Sequence, residues 1–408
     1  MNADDRRTDS RPIAGARAQS SQSAVKPGGI VRYAPVMRQA SGRENPFRPG
    51  AGARPPVLAG RDPELALANS LLESLARGRA PSRGLLVFGP RGNGKTALLN
   101  RLAEGARRRG MRTESLPAAA FRNPEALRQE LQENVGLTGT RLRGVTAAGF
   151  GVSTEPGPPT ANAARLFAGW IGDGQPPLVI LLDEAHTIEP EAGRLFFDAV
   201  QEATNRSLPF LLLAAGTPDT PRRLRKAGTF TERALQRVPV GRLARDETLR
   251  AFREPARDAG LPVRDDAAAF LAAESQDYPY FVQLFGSAAW DAAGDEIHLK
   301  AAHRGAASVQ TEIERFYAER FDEARDRAVH RALAPLAALV TKHRGRITDA
   351  ELDGFLAAAS EAISETKLLN TLTDLGVLWK VPPAGWELGI PSFAAFVLEH
   401  HTGNSRPP

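Results

Sequence analysis

The apolar positions of the chain fall into two patterns. Short unbroken runs, Leu85-Leu86-Val87-Phe88, Leu178-Val179-Ile180-Leu181-Leu182 and Phe210-Leu211-Leu212-Leu213-Ala214-Ala215, have the length and composition of strands buried on both faces. Thr113-Glu114-Ser115-Leu116 reads as a weaker strand. Val238-Pro239-Val240 reads as an edge strand, because proline has no N–H for an interior ladder. Between these runs apolar residues recur at helical spacing. Asp62 is placed to cap a helix with Pro63 at its first position. Further helices are expected from Ala97 to a stop at Gly110, from about Pro124 to Asn134 and from about Ala192 to Thr204. Residues 136–159 are glycine-rich and read as a loop or hairpin. Strands alternating with helices predict an α/β fold with a parallel sheet.

Beyond Leu243 the strand-like runs stop. Residues 243–302 read as helices throughout, broken at Gly260 and Pro262, and have the size of a helical lid. Thr311 to Thr341 is a long amphipathic stretch, and Asp349 to Leu356 is a short helix. Another helix is opened by Ser364 and closed by Gly376. Two alternating runs then flank Pro382-Pro383-Ala384-Gly385, which is a hairpin signature. Helices followed by a small hairpin describe a winged helix. Residues up to about Arg54 are rich in Arg, Ser, Gly and Pro and too poor in large apolar side chains to offset their ordering entropy. The expected division is a disordered basic tail over 1–54, an α/β core over 55–242, a lid over 243–305, a winged helix over 306–402 and a short tail over 403–408.

Composition narrows the function classes. The 408 residues suffice for two or three domains. With 53 Lys and Arg against 47 Asp and Glu, the net charge of +6 permits nucleic-acid contact without requiring it. The chain has no cysteine, which excludes disulfides, thiolate nucleophiles and Cys-based zinc sites. The start, Met1-Asn2-Ala3-Asp4-Asp5-Arg6-Arg7, lacks the apolar stretch of a signal peptide. No apolar run approaches the length that spans a bilayer. A cytoplasmic protein without a membrane partner is expected.

Chemistry concentrates after the first apolar run. Gly89-Pro90-Arg91-Gly92-Asn93-Gly94-Lys95-Thr96 fits G-x-x-x-x-G-K-[ST], with a strand before it and a helix from Ala97 after it. Glycines let successive N–H groups converge on a phosphate, and the helix aims its positive dipole end at the same point. Lys95 is expected to reach the β- and γ-phosphates and Thr96 to hold Mg²⁺. The second apolar run ends in Asp183-Glu184, at the strand end where parallel sheets place their ligands. In this Walker B arrangement Asp183 serves the metal and Glu184 polarises the attacking water. The string Asp183-Glu184-Ala185-His186 invites a helicase reading, but no second such core is visible, and His186 reads as a helix-start residue. Thr217, at the end of the third run, either contacts the γ-phosphate or attacking water, or serves the turn; both readings stay open.

Gly60-Arg61, the P-loop, Asp183-Glu184-Ala185-His186, Ala215-Gly216-Thr217-Pro218, Glu232-Arg233 and Tyr278-Pro279-Tyr280 resemble, in order and spacing, the AAA+ ATPases of the Orc1/Cdc6-like group, in particular bacterial ATP-binding proteins with a C-terminal winged helix. The resemblance covers about residues 55 to 400. It implies a central P-loop strand, a helical lid and ATP at their junction, held by Gly89 to Ala97. It implies that Arg61 belongs to the segment lining the adenine, that Glu184 is the catalytic carboxylate, and that Arg233 is offered as an arginine finger to a neighbouring copy. Two departures stand out. No arginine occupies Tyr278-Pro279-Tyr280, where many AAA+ lids present one to the γ-phosphate, and Thr217 stands where many members carry asparagine.

Two functions follow. One is a slow Mg²⁺-dependent ATPase that switches conformation or assembly on DNA, through the winged helix and basic tail, as a homo-oligomer. The other is a signalling switch of the STAND kind, in which ATP binding controls a protein partner. The candidate recognition helix carries a single cation, Lys367, so the third unit reads equally as a protein-interaction surface.

Overall fold

The computed structural model describes residues 43–50, 52–139, 159–228, 230–324, 326–360, 363–381 and 385–403. The apolar runs form a parallel five-stranded sheet from β1 (Gly84–Phe88), β2 (Arg112–Ser115), β3 (Leu178–Leu182), β4 (Phe210–Gly216) and β5 (Leu235–Pro239), in the order β2-β3-β4-β1-β5. The P-loop strand β1 therefore lies between β4 and β5, with Leu85 beside Leu213 and Phe88 beside Pro239. Pro239 sits at the sheet edge, as its missing N–H demands.

Because side chains alternate along a strand, each run feeds two cores. Leu85, Val87, Val179 and Leu213 pack under α1 (Asp62–Ala76) and α2 (Lys95–Arg108). Leu86, Ile180, Leu182 and Leu212 face α3 (Pro124–Gly139), α4 (Pro159–Ile171) and α5 (Pro190–Asn205). On that face Phe167 stands edge-on to Trp170, Phe196 and Phe210, with ring centroids 5.5–5.9 Å apart. Helix α4 was not apparent in the sequence. The expected loop before it lies outside the described residues over 140–158.

Two short helices, α6 (Thr220–Ala227) and α7 (Thr231–Ala234), lead into β5. The stretch expected as a lid consists of α8 (Arg245–Asp258), α9 (Asp265–Ser275), α10 (Pro279–Asp291) and α11 (Leu299–Ser308), and is called the lid below. The third unit runs through α12 (Gln310–Glu323), α13 (Arg327–Lys342), β6 (Arg346–Ile347), α14 (Asp349–Ala358), α15 (Glu365–Asp374), β7 (Leu378–Lys380), β8 (Trp386–Leu388) and α16 (Phe393–Gly403). Its small antiparallel sheet has the order β6-β8-β7. The tip of the expected hairpin, 382–384, lies outside the described residues. Among those residues, no helix is long and apolar enough to cross a membrane.

Three expectations change. The single stretch from Thr311 to Thr341 is two helices. Ala324 leaves helical geometry, and Asp326 then caps α13 by accepting from the Ala328 N–H at 2.9 Å. Asp62 is not a cap but the first helical residue, preceded by Arg61. Order also begins well before Pro55, although residues 1–42 are outside the described set. Phe47 is buried in the lid core against Phe252 and the backbone of Gly286, and Asn45 donates to the Ser287 carbonyl at 3.2 Å. The Phe47 ring and the Asn45 side chain anchor this otherwise polar segment, which average composition conceals. Phe47→Ala is expected to cost about 3 kcal/mol, as for other buried phenylalanines. Thermal denaturation reads this as a lowered Tm, and an unchanged Tm would show that the segment does not contribute to the lid core.

Candidate functional site

The P-loop leaves β1 at Phe88 and enters α2 at Lys95. The Gly89 N–H donates to the Gly216 carbonyl at 3.2 Å, which ties the loop to the end of β4 and places Thr217 beside it. Gly94 precedes α2 at φ +79°, a left-handed conformation that suits glycine. No side chain caps α2, so the N–H groups of its first turn are left for the loop's ligand. Gly92 has a steric reason to be glycine: a Cβ there would lie 2.1 Å from the Tyr278 hydroxyl. That hydroxyl donates to the Arg91 carbonyl at 2.7 Å, and the Tyr280 N–H donates to the Gly92 carbonyl at 3.1 Å. The lid thus holds the P-loop backbone through the first turn of α10.

Lys95 is buried, and its ammonium donates to the Gly89 and Pro90 carbonyls at 2.9 and 2.8 Å. Desolvation pushes its pKa down to about 8, against the pull of Glu184 and Asp183; Arg91 and Arg61 add to the lowering. The Thr96 hydroxyl donates to Asp183 Oδ2 at 2.7 Å, across the width of β4.

Glu184 turns the chain sharply at the end of β3. Its φ is +53°, a conformation costing a non-glycine residue on the order of 1 kcal/mol and often found at functional sites. Thr187 holds this turn, its N–H and hydroxyl donating to the Glu184 carbonyl at 2.9 and 2.8 Å. The Glu184 side chain is half exposed, with Oε2 3.3 Å from His186 Nδ1. Burial, then the positive charges of Arg91, Arg223 and Lys95, push His186 down to about 4. The imidazole is neutral at pH 7, so this contact does not neutralise Glu184. His186 lies in a short 3₁₀ turn over Ala185–Thr187, as a helix-start residue should.

Thr217 is buried, and among the described residues its hydroxyl has no hydrogen-bond partner; the same is true of Asn93 Oδ1. Buried polar atoms are nearly always bonded, so these two next to the P-loop mark where ligand atoms or water belong. Arg61 is also buried. Its guanidinium donates to the Gly60, Asn93 and Gly241 carbonyls at 3.2, 3.1 and 2.6 Å, so it braces the P-loop backbone. Arg233 lies on α7 and is exposed; among the described residues no ion pair ties it to the other site residues. Sequence reasoning missed the clasp made by Tyr278. The Tyr278-Pro279-Tyr280 motif was visible, but an aromatic in a helical lid reads first as core.

Residues 57–224 match the AAA ATPase domain. The fold is that of an AAA+ P-loop NTPase. Among solved structures, the Walker-type ATPase PABY2304 of Pyrococcus abyssi shares 15% identity with a TM-score of 0.56, covering 84% of this chain and 97% of that one. At that identity the likeness shows the fold alone. The Aeropyrum pernix ORC2 protein aligns at 15% identity and a TM-score of 0.46, over 86% of this chain and 97% of that one. The Thermotoga maritima RuvB Holliday junction branch migration motor aligns at 16% and 0.44, over 88% and 100%. No curated protein matches the sequence. The donor set of this site fits magnesium nucleotide. It offers hard oxygens at Thr96 and Asp183, a buried ammonium at Lys95 and open N–H groups at the start of α2.

Proposed function

We propose that the chain binds ATP with Mg²⁺ and hydrolyses it slowly to ADP and phosphate, coupling turnover to a change of conformation or assembly. The observation that carries this is the 2.7 Å contact between Thr96 and Asp183. It brings the first turn of α2 and the end of β3, a strand not adjacent to β1, to one point beside Lys95 and Glu184. Thr96 and Asp183 would hold the metal, which when bound neutralises phosphate charge. Lys95 binds the β- and γ-phosphates. Glu184 accepts a hydrogen bond from the attacking water, and Thr217 orients that water or the γ-phosphate. Arg233, exposed on α7, is available to a neighbouring copy's ATP.

The succession of α13, β6, α14, α15, β7 and β8 supports a winged-helix reading of the third unit, and with it DNA as a partner. One observation favours the alternative of a signalling switch that acts on a protein partner. On the candidate recognition helix α15 the single cation, Lys367, already pairs with Asp326 at 3.4 Å. ATP turnover with and without duplex DNA, at low and high salt, separates the two. Stimulation by DNA that salt abolishes supports the DNA-linked ATPase. Tight ATP binding with negligible turnover in every condition supports the switch. In the same assay Arg233→Ala should abolish turnover with ATP affinity unchanged, and full activity of a strictly monomeric protein would refute the role in trans.

A further inference from the structure

The end of α2 away from the P-loop carries a cluster of arginines. Arg107, Arg108 and Arg109 close this helix, and Arg107 lies roughly 18 Å along its axis from Lys95. Helix α1 packs beside α2 and is followed by Arg77 and Arg79. Two carboxylates tie the arginines together. Glu73 lies 4.0 Å from Arg77 and 3.8 Å from Arg109, and so joins the two helices. Glu104 lies 3.6 Å from Arg101 and 4.0 Å from Arg108, and also pairs with Arg54. Although paired, the side chains of Arg54, Arg77, Arg101 and Arg108 stay 57–62% exposed. Arg79 and Arg107 are exposed, and among the described residues no acid pairs with them. Seven arginines thus share two acids. Five positive charges are left unmatched on this ridge, in a chain whose whole net charge is +6.

One or two cations at each C-terminus would complement the dipoles of α1 and α2. Arg54, Arg79 and Arg101 lie outside those last turns. Like charges crowded on helix surfaces are destabilising unless a counter-charge meets them. The backbone beneath the ridge is also fixed in advance. The Arg79 N–H donates to the Ser74 carbonyl at 3.0 Å, and the Ser74 hydroxyl donates to the Arg79 carbonyl at 3.2 Å. The Arg109 guanidinium donates to the Gly105 carbonyl at 3.0 Å. A ligand therefore meets a surface whose ordering cost is already reduced.

We propose that the α1–α2 ridge binds the phosphate backbone of duplex DNA, independently of sequence. Every cation of the ridge is arginine, whose forked donors match phosphate oxygens. Neither α1 nor α2 carries an aromatic residue, so no base of a single strand finds a stacking platform there. The exposed positions between the arginines, Ser70, Ala76, Gly78 and Gly110, are small or polar and offer no apolar anchor for a membrane surface. This contact lies on the sheet domain and stands apart from both the ATP site and the winged-helix reading. It supplies the cations that α15, with Lys367 alone, lacks.

Anisotropy of a labelled duplex of arbitrary sequence, titrated with the full chain at several salt concentrations, tests the proposal. Arg79→Ala, Arg107→Ala and Arg108→Ala together are expected to weaken binding about 10-fold or more at low salt. They should also make the slope of log affinity against log salt shallower by about 3. The same three positions changed to lysine keep the charge and are expected to keep the slope; an equal loss in the lysine variant would assign the effect to structure and overturn the proposal. Lys367→Ala is expected to leave affinity and slope unchanged. A triple alanine variant that binds as wild type does would overturn the ridge and leave the winged helix as the DNA contact. A wild-type protein that binds no duplex at low salt would overturn both. Capture by phosphatidylserine vesicles in place of duplex would assign the ridge to a membrane surface. A wild-type oligomer that the alanine variant dissociates, with duplex binding intact, would assign it to contact between copies. Either result would overturn the DNA contact.

Discussion

Glu184→Gln is expected to lower ATP turnover about 10²-fold or more and to leave ATP affinity near that of the unaltered protein. The side chain projects from a left-handed turn at the C-terminal end of a fully buried strand, so its origin is fixed on both sides. It is half exposed and therefore open to water. Its neighbour His186 is uncharged at neutral pH and does not quench it. Glutamine keeps the shape but replaces the carboxylate with a far weaker base, so the loss falls on the chemical step. The Thr187 bonds run to the backbone carbonyl of residue 184 and survive the change. Phosphate release gives the turnover, and equilibrium titration with a fluorescent ATP analogue gives the affinity. Equal turnover in the two proteins would remove Glu184 from the role of general base. A loss of affinity matching the loss of turnover would instead assign it to binding.

Much of this site was legible because its chemistry is local. Gly89 to Thr96 is contiguous, and Asp183-Glu184 directly follows five apolar residues whose burial on both faces fixes where the acids emerge. The unbroken runs also gave the α/β class, since strands covered on both sides cannot alternate in polarity. The lost information is long-range. Nothing local to Phe47 shows that its ring is buried, yet it packs against Gly286, about 240 positions away. Tyr278 was visible as a motif but not as a clasp, because its hydroxyl meets a backbone carbonyl 187 residues earlier. Asp219 and Asp374 are two acids among 47, and only folding brings both onto Arg222 and Arg223. Local pattern thus located the candidate site, whereas the pairing of the charges around it required the fold.

Lys95 carries the largest expected effect on binding. Lys95→Met should weaken ATP binding on the order of 10²-fold, the loss of charge-assisted hydrogen bonds in a buried site. Its titration gives a sharper test than the loss itself. Burial lowers the ammonium to about 8, below its ordinary 10.5. Between these values the unfolded chain holds a proton that the folded chain has released. Lys95 therefore lowers folding stability as pH falls through this window and contributes no further change below it. Bound phosphates favour the ammonium and pull the pKa back up. ATP binding near pH 8.5 is therefore expected to take up a proton, and ATP affinity to fall as pH rises above 8. Calorimetric titration in buffers of different ionisation enthalpy reads the proton directly. Lys95→Met should bind ATP weakly with that uptake absent. A wild-type protein that takes up no proton near pH 8.5 would show that Lys95 is fully charged before ATP arrives, and the carbonyls of Gly89 and Pro90, with Glu184 and Asp183, would then outweigh desolvation.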